Sequence, residues 1–273
     1  MIGQRIGLTI KNILVWLAFI GIALFALFPI LWGIKTSLAP KYDYGFFPSK
    51  LTLEHYFALF QRAELFIYFR NSLCVAGGSI TIVLPVAILA AYSLARFKFK
   101  GSQFGILFLV LPMLPAVAIL VPLISYMNKI GLYNTFLAVI LVNAVFNMPF
   151  AIWMLRNFIL ANPFSIEESA LIDGCSRIQM LMRVAIPMMA PGLIAVVIFV
   201  FINSWNNYMY AFALTSSPGH RVLPQGILAF LGSWGTYWGG LTAIGTLALI
   251  PPVVAFLIFQ KWFVAGLFGQ QLK

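Results

Sequence analysis

The chain has 273 residues, 62% of them hydrophobic and only 8% charged, with a formal net charge of +11. A water-soluble domain carries roughly 25% charged residues, so the composition excludes one and points to a protein embedded in a bilayer. The excess of bases then speaks for orientation and lipid-headgroup attraction. No basic patch interleaved with exposed aromatics lies outside the apolar stretches, so nucleic acid is not an expected partner.

Six charge-free stretches are long enough to span: Ile13–Ile34, Asn71–Ala95, Phe104–Met127, Leu132–Leu155, Pro187–Leu214 and Gly239–Gln260. Each exceeds the about 20 residues a helix needs to cross hydrocarbon. Helices are required because lipid offers no partner to an unpaired backbone group. The fold class is therefore all-α, a polytopic membrane protein read as one domain over residues 1–273. The first run follows Arg5 and Lys11 as a signal peptide would, but its 22 uncharged residues exceed the about 7–15 of a signal core. It reads as an uncleaved span. Prolines interrupt several spans (Pro29, Pro85, Pro112, Pro115, Pro122, Pro251 and Pro252), and packing kinks account for each singly.

Between the first two spans, Lys35 to Arg70 is predicted to lie on the membrane surface with short helical turns after Thr52. Thr215 to Trp238 is rich in Gly, Ser and aromatic residues, which leaves an interfacial aromatic belt and a partner-touching loop both open. Cys74 and Cys175 fall on different elements and are poor disulfide partners. His55 and His220 lie far apart in sequence, and no metal site is expected. The side of the membrane holding Arg5, Lys11, Arg96, Lys98, Lys100, Arg156, Arg177, Arg183, Lys261 and Lys273 has ten bases. The other, with Lys35, Lys41, Lys50, Arg62, Arg70, Lys129 and Arg221, has seven. The positive-inside rule then puts both termini, and the loop 156–186, in the cytoplasm.

That loop holds three of the six carboxylates within seven positions: Glu167, Glu168 and Asp173. Ser165 and Glu168 have the spacing of a capping box, the two glutamates sit at the positive end of a helix dipole, and Gly174 suits a C′ stop. A second short helix is predicted from Ser176 to Ile186, with Pro187 beginning the next span. On physics alone, an ordinary polar connector and a docking element fit equally well.

None of the six spans contains Asp, Glu, Lys, Arg or His. Ion-coupled transporters need an ionisable group or unwound ion site in the membrane, and an intramembrane protease needs a nucleophile with its base. There is no G-x-x-x-x-G-K-[ST] phosphate loop either. The chain reads as no enzyme; if it drives active transport, the energy comes from another subunit. Its intramembrane polar groups are few: Asn143 and Asn147 at i, i+4, and Asn203, Asn206 and Asn207 around Trp205. They serve either interhelical hydrogen bonding or a path for a hydroxyl-rich solute, since amides both donate and accept.

The run Glu168-Ser169-Ala170, Asp173-Gly174 and Ile186-Pro187 resembles the EAA motif of ATP-binding-cassette importer permeases. Ala90-Ala91-Tyr92-Ser93-Leu94-Ala95-Arg96-Phe97-Lys98-Phe99-Lys100-Gly101 is similar to their AAYALARFRFRG run. Leu51-Thr52-Leu53-Glu54-His55-Tyr56, Arg70-Asn71-Ser72-Leu73, Phe150–Phe158, Ser204-Trp205-Asn206-Asn207-Tyr208 and Phe263–Leu267 match in the same order. The whole resembles the smaller, six-span permease of maltose-type carbohydrate importers. The resemblance implies a type I importer permease fold with a cytoplasmic coupling helix, in a bacterial cytoplasmic membrane. It implies three partners: a homologous sister permease, an ATP-binding-cassette ATPase dimer and a soluble solute-binding protein. ATP and Mg would sit on the ATPase, leaving this chain without a cofactor. Glu167, Glu168, Ser169, Ala170, Asp173, Gly174 and Pro187 would form the ATPase-coupling element, and Gly269, Gln270 and Gln271 a tail that touches the ATPases. The expected cargo is a sugar or oligosaccharide. Glycerol phosphate, a polyol or an anionic sugar stays open, as does a non-transporting assembly role.

Overall fold

The computed structural model describes residues 2–41, 43, 45–97, 115–228, 231–232 and 235–268. These fall into two compact units, residues 1–62 with 227–249 and residues 63–226 with 250–273.

In the first unit, helix α1 (Ile2–Ser37) carries the charge-free run, and none of its most apolar window is buried within the chain. Its end is tied down by polar contacts. The Ser37 hydroxyl lies 2.7 Å from the Tyr56 hydroxyl, and the Thr52 N–H donates to the Leu38 carbonyl at 2.8 Å. Helix α2 (Glu54–Phe60) follows as a single surface element. His55 on α2 is 1% exposed, its Nε2 2.8 Å from the Ala39 carbonyl and its Nδ1 hydrogen-bonded to the Tyr237 hydroxyl. The predicted surface segment thus ends earlier than Arg70, because helix begins again at Ala63. A hairpin of two-residue strands, β1 (Leu231–Gly232) and β2 (Gly235–Thr236), precedes the last helix.

The second unit is built on α3 (Ala63–Arg96), α5 (Phe136–Ala161) and α9 (Ala190–Trp205). Their contact faces are lined by small residues: Ala76, Ala87, Ala91, Ala138, Ala151 and Ala195 are each fully buried. Small side chains let helix backbones approach closely where lipid supplies no hydrophobic drive. A Cβ added at Gly192 would stand 2.6 Å from Phe158, and one at Gly78 2.6 Å from Ile140. Helix α4 (Ala116–Lys129) is the visible end of the third predicted span, whose residues 104–114 lie outside the described residues. Thr135 caps α5 by accepting from the Ala138 N–H.

Between α5 and α9 come α6 (Phe164–Ile172), α7 (Arg177–Met180), a π-helical turn (Leu181–Ala185) and α8 (Ile186–Met188). The predicted capping box at Ser165 and Glu168 is not formed. Pro163 is the N-cap of α6, and the Ser169 hydroxyl donates back to the Ser165 carbonyl. The box is one helix later, where Ser176 and Gln179 satisfy each other's backbone N–H. The predicted span Pro187–Leu214 is likewise not one rod. The helix running up to Met188 and α9 meet at a bend of 76°, since Pro191 has no N–H to carry the ladder across. A second break falls at Asn206–Tyr208, before α10 (Met209–Leu214). A 3₁₀ turn (Pro218–His220), α11 (Leu223–Leu228) and α12 (Trp238–Phe268) complete the described chain. Among the described residues, four helices are long and apolar enough to cross a membrane, or five with the bent pair as one span.

Candidate functional site

Helix α6 has one buried side chain, and it is a charge. Glu167 is 2% exposed, while Glu168, Ser169, Leu171, Ile172, Asp173 and Gly174 are exposed and Ala170 is half-buried. Its partner is Arg96, at the last turn of α3. Arg96 Nε and Nη2 both donate to Glu167 Oε1, at 3.0 and 2.6 Å. The other carboxylate oxygen accepts from the Tyr92 hydroxyl at 2.8 Å. Arg96 Nη2 also donates to the Asn162 carbonyl at the end of α5, 3.1 Å away, and its guanidinium lies 5.1 Å over the Phe164 ring. Tyr92 and Arg96 are four residues apart on α3 and so share a face. Arg156 of α5 reaches the Leu94 carbonyl from the other side. Burial of a carboxylate is tolerated because each oxygen has its own donor.

Away from that contact, α6 and the helical turns after it leave a ridge of apolar side chains exposed. Ile172 is 85% and Ile178 75% exposed, and Ile166 and Met182 are also open. Glu168, Asp173, Arg177 and Arg183 of the same segment are exposed as well. Gly174, at φ +89°, closes α6 as the expected left-handed C′ stop. Pro187 falls inside α8 instead of opening the next span. Gly269, Gln270 and Gln271 lie outside the described residues.

The intramembrane amides separate into two sets. Asn207 Nδ2 donates to Asn143 Oδ1 at 2.6 Å, and the Tyr210 N–H donates to Asn207 Oδ1 at 3.1 Å. That side chain starts α10 where the main chain has broken. Asn147 donates to the Asn143 carbonyl. Asn143 Nδ2 and the Ser204 hydroxyl are buried without a hydrogen-bond partner among the described residues. Asn203 and Asn206 are exposed, and Asn203 donates to its own helix carbonyl at Phe199. Trp205 is 2% exposed, stacked on Phe201 and edge-on to Phe69. Hydrogen bonds therefore join Asn143, Asn147 and Asn207, while Asn203 and Asn206 stand at exposed positions.

Two residues of the α6 site escaped the sequence reading. Arg96 registers there only as an orientation charge and Tyr92 only as part of a run. The available signal was that Arg96 is the first charge after a long apolar helix, four residues from a tyrosine. Another such contact explains the Asn71-Ser72 pair. Asn71 donates to the Gly219 and Arg221 carbonyls, both at 2.8 Å, and the Ser72 hydroxyl accepts from the Leu223 N–H. Among the described residues no group of three metal-ligating side chains occurs.

The family of binding-protein-dependent transport system inner membrane components matches residues 83–269. This chain belongs to that family. It is 33% identical to the trehalose/maltose transport system permease protein of Thermococcus litoralis, covering 97% of this chain and 98% of the relative. It is 33% identical to the sulfoquinovosyl glycerol transport system permease protein of Agrobacterium fabrum, over 90% and 89%. The trehalose transport system permease protein of Mycobacterium tuberculosis is 34% identical over 91% and 93%. Among solved structures, a bacterial transporter that imports the acidic polysaccharide alginate superposes with a TM-score of 0.80 at 21% identity, covering 93% and 96%. That likeness speaks to the fold: the helical importer permease architecture, with one two-residue hairpin, is the one this chain adopts. As a family member the chain is a membrane permease component.

Proposed function

We propose that the chain is the permease subunit of an ATP-driven importer for a sugar or oligosaccharide. One ATPase of a pair docks on the exposed ridge of α6, a second permease holds the other and completes the pathway, and a soluble binding protein delivers cargo to the far face. The termini and α6 lie on the cytoplasmic side, in keeping with the ten bases against seven. The observation that carries the reading is α6 itself. In a chain of this family, a short helix turns one charge inward and leaves an apolar ridge with Glu168 and Asp173 facing out. The relatives named for trehalose and maltose transport support a carbohydrate cargo.

Transport proceeds by alternating access: ATP binding closes the ATPases, α6 is carried with them, and the spans reopen toward the binding protein. This chain's own task is mechanical and polar. The ridge binds, Glu167 transmits, and the cluster Asn143–Asn147–Asn207 supplies amides to the path. A charged sugar is the second reading, supported by seven bases against three acids (Asp43, Glu54 and Glu64) on the far side. The test is uptake of labelled trehalose, maltose and sulfoquinovosyl glycerol by the reconstituted complex, with ATP hydrolysis measured alongside. Stimulation of both by one sugar, lost in Glu168→Lys at unchanged membrane levels, is expected. Hydrolysis and uptake untouched by Glu168→Lys would sink the docking assignment.

A further inference from the structure

We propose that Arg96, Glu167 and Tyr92 form a rigid clamp that makes α6 and α3 move as one body, so that they are positioning residues for coupling. The inference rests on the coupling role given to α6 above and names the link through which motion leaves it.

The argument starts from what holds α6 in place. A surface helix ordinarily docks through an apolar stripe, yet the one buried side chain of α6 is Glu167. Its apolar residues Phe164, Ile166, Leu171 and Ile172 are all exposed. Apolar contact is non-directional and lets a short helix slide or roll. A carboxylate gripped at both oxygens does not. Arg96 donates twice to Oε1, and Tyr92 donates to Oε2 from one turn earlier on the same helix face. Three hydrogen bonds on two oxygens fix both register and tilt. The same Arg96 Nη2 reaches the Asn162 carbonyl, next to Pro163, which begins α6, so the hinge before α6 is pinned to the same side chain.

Stability is a poor reason for such a pair. A buried ion pair can often be replaced by apolar residues of similar volume without loss. What an apolar replacement cannot reproduce is direction. That difference separates a clamp from mere packing.

The experiment places nitroxide labels at Leu89→Cys on α3 and Ser165→Cys on α6, both exposed, with Cys74→Ser and Cys175→Ser. The label separation is read by double electron–electron resonance in the full complex in nanodiscs, resting and after trapping with Mg-ATP and vanadate. The expected separation is narrow and the same in both states. In Arg96→Met/Glu167→Leu the complex still assembles, and the distribution broadens by about twofold or more, because the directional fork is gone. A wild-type separation that shifts on trapping, or a double variant with the wild-type distribution, overturns the clamp. Should the double variant not assemble, Tyr92→Phe removes one hydroxyl only; broadening upholds the proposal and an unchanged distribution overturns it. Absence of trapped nucleotide in the wild-type complex counts against the coupling reading, and the resting-state comparison of wild type with the double variant still decides the clamp.

Discussion

Replacing Gly192 by alanine sets a close helix approach in the second unit against a single methyl group. The added Cβ would lie 2.6 Å from both Cδ2 and Cγ of Phe158 and 3.1 Å from Cδ1. Carbon atoms pack best at about 3.5–4.0 Å, so the overlap is about 1 Å with two ring atoms and about half that with the third. One of them, Cγ, does not move when the ring turns about χ2, so relief needs a new χ1 or a shift of α9. Overpacking of this kind costs roughly 1–3 kcal/mol, and three blocked atoms put it in the upper half. Helix propensity returns up to about 1 kcal/mol on Gly→Ala, leaving a net loss of about 1–2 kcal/mol. At about 2–4 °C per kcal/mol, the thermal midpoint of the detergent-solubilised protein falls by roughly 2–8 °C. Gly78→Ala is the internal control. Its Cβ would meet Ile140, nearest at the Cδ1 tip, which can swing away for about 0.5–1.5 kcal/mol, so the propensity gain cancels it and the midpoint holds. Phe158→Leu added to Gly192→Ala restores most of the loss. Equal falls for the two glycines, or failure of Phe158→Leu to rescue, would refute the overlap argument.

The carboxyl of Asp43 is held below its ordinary value, chiefly by the Ser49 backbone N–H, then by the Ser49 hydroxyl and the Gly45 N–H. Its folded value is depressed, so the loop's stabilisation is present above the unfolded value of about 3.9 and is lost as pH falls through the lower, folded one. Trp32, whose ring centroid lies 5.6 Å from that of Phe46 in this loop, should show fluorescence flat from neutral pH to about pH 4 and changing below it, and Asp43→Asn should abolish the transition. Asn71→Ala removes two hydrogen bonds to the 219–221 carbonyls, worth about 0.5–1.5 kcal/mol each. Amide exchange across Thr215–Leu223 should speed up, with α9 amides unchanged; equal exchange in both would contradict the pinning.

Much of the fold was legible because bilayer physics writes it in composition. Ile13–Ile34, Asn71–Ala95 and Gly239–Gln260 all fall inside helices that run on past their charged ends. What counting charge cannot see is where a charge goes next. Helix α5 continues past Arg156 to Ala161, with that side chain donating to the Leu94 carbonyl of α3; a charge at the end of an apolar run does not stop a helix. The break after Trp205 was hidden for the opposite reason. Asn207 looks like one more polar group in an apolar run, but its side chain replaces the missing main-chain bond at Tyr210. At α6 the acidic cluster was conspicuous, while the division of labour within it was not. Glu167 and Glu168 are neighbours in sequence, yet one is buried and the other exposed, a distinction that requires Arg96 to be placed.

The Arg96–Glu167 contact also sets a clock on the newborn chain. The two residues are 71 positions apart, and at about 5–20 residues per second a ribosome needs roughly 4–14 s to supply the second after the first. Through that interval Arg96 terminates an inserted helix with no counter-charge, and its long stem lets the guanidinium reach water. Helix α6 can therefore dock only after α5 has been made, and the α3 end stays open to water until then.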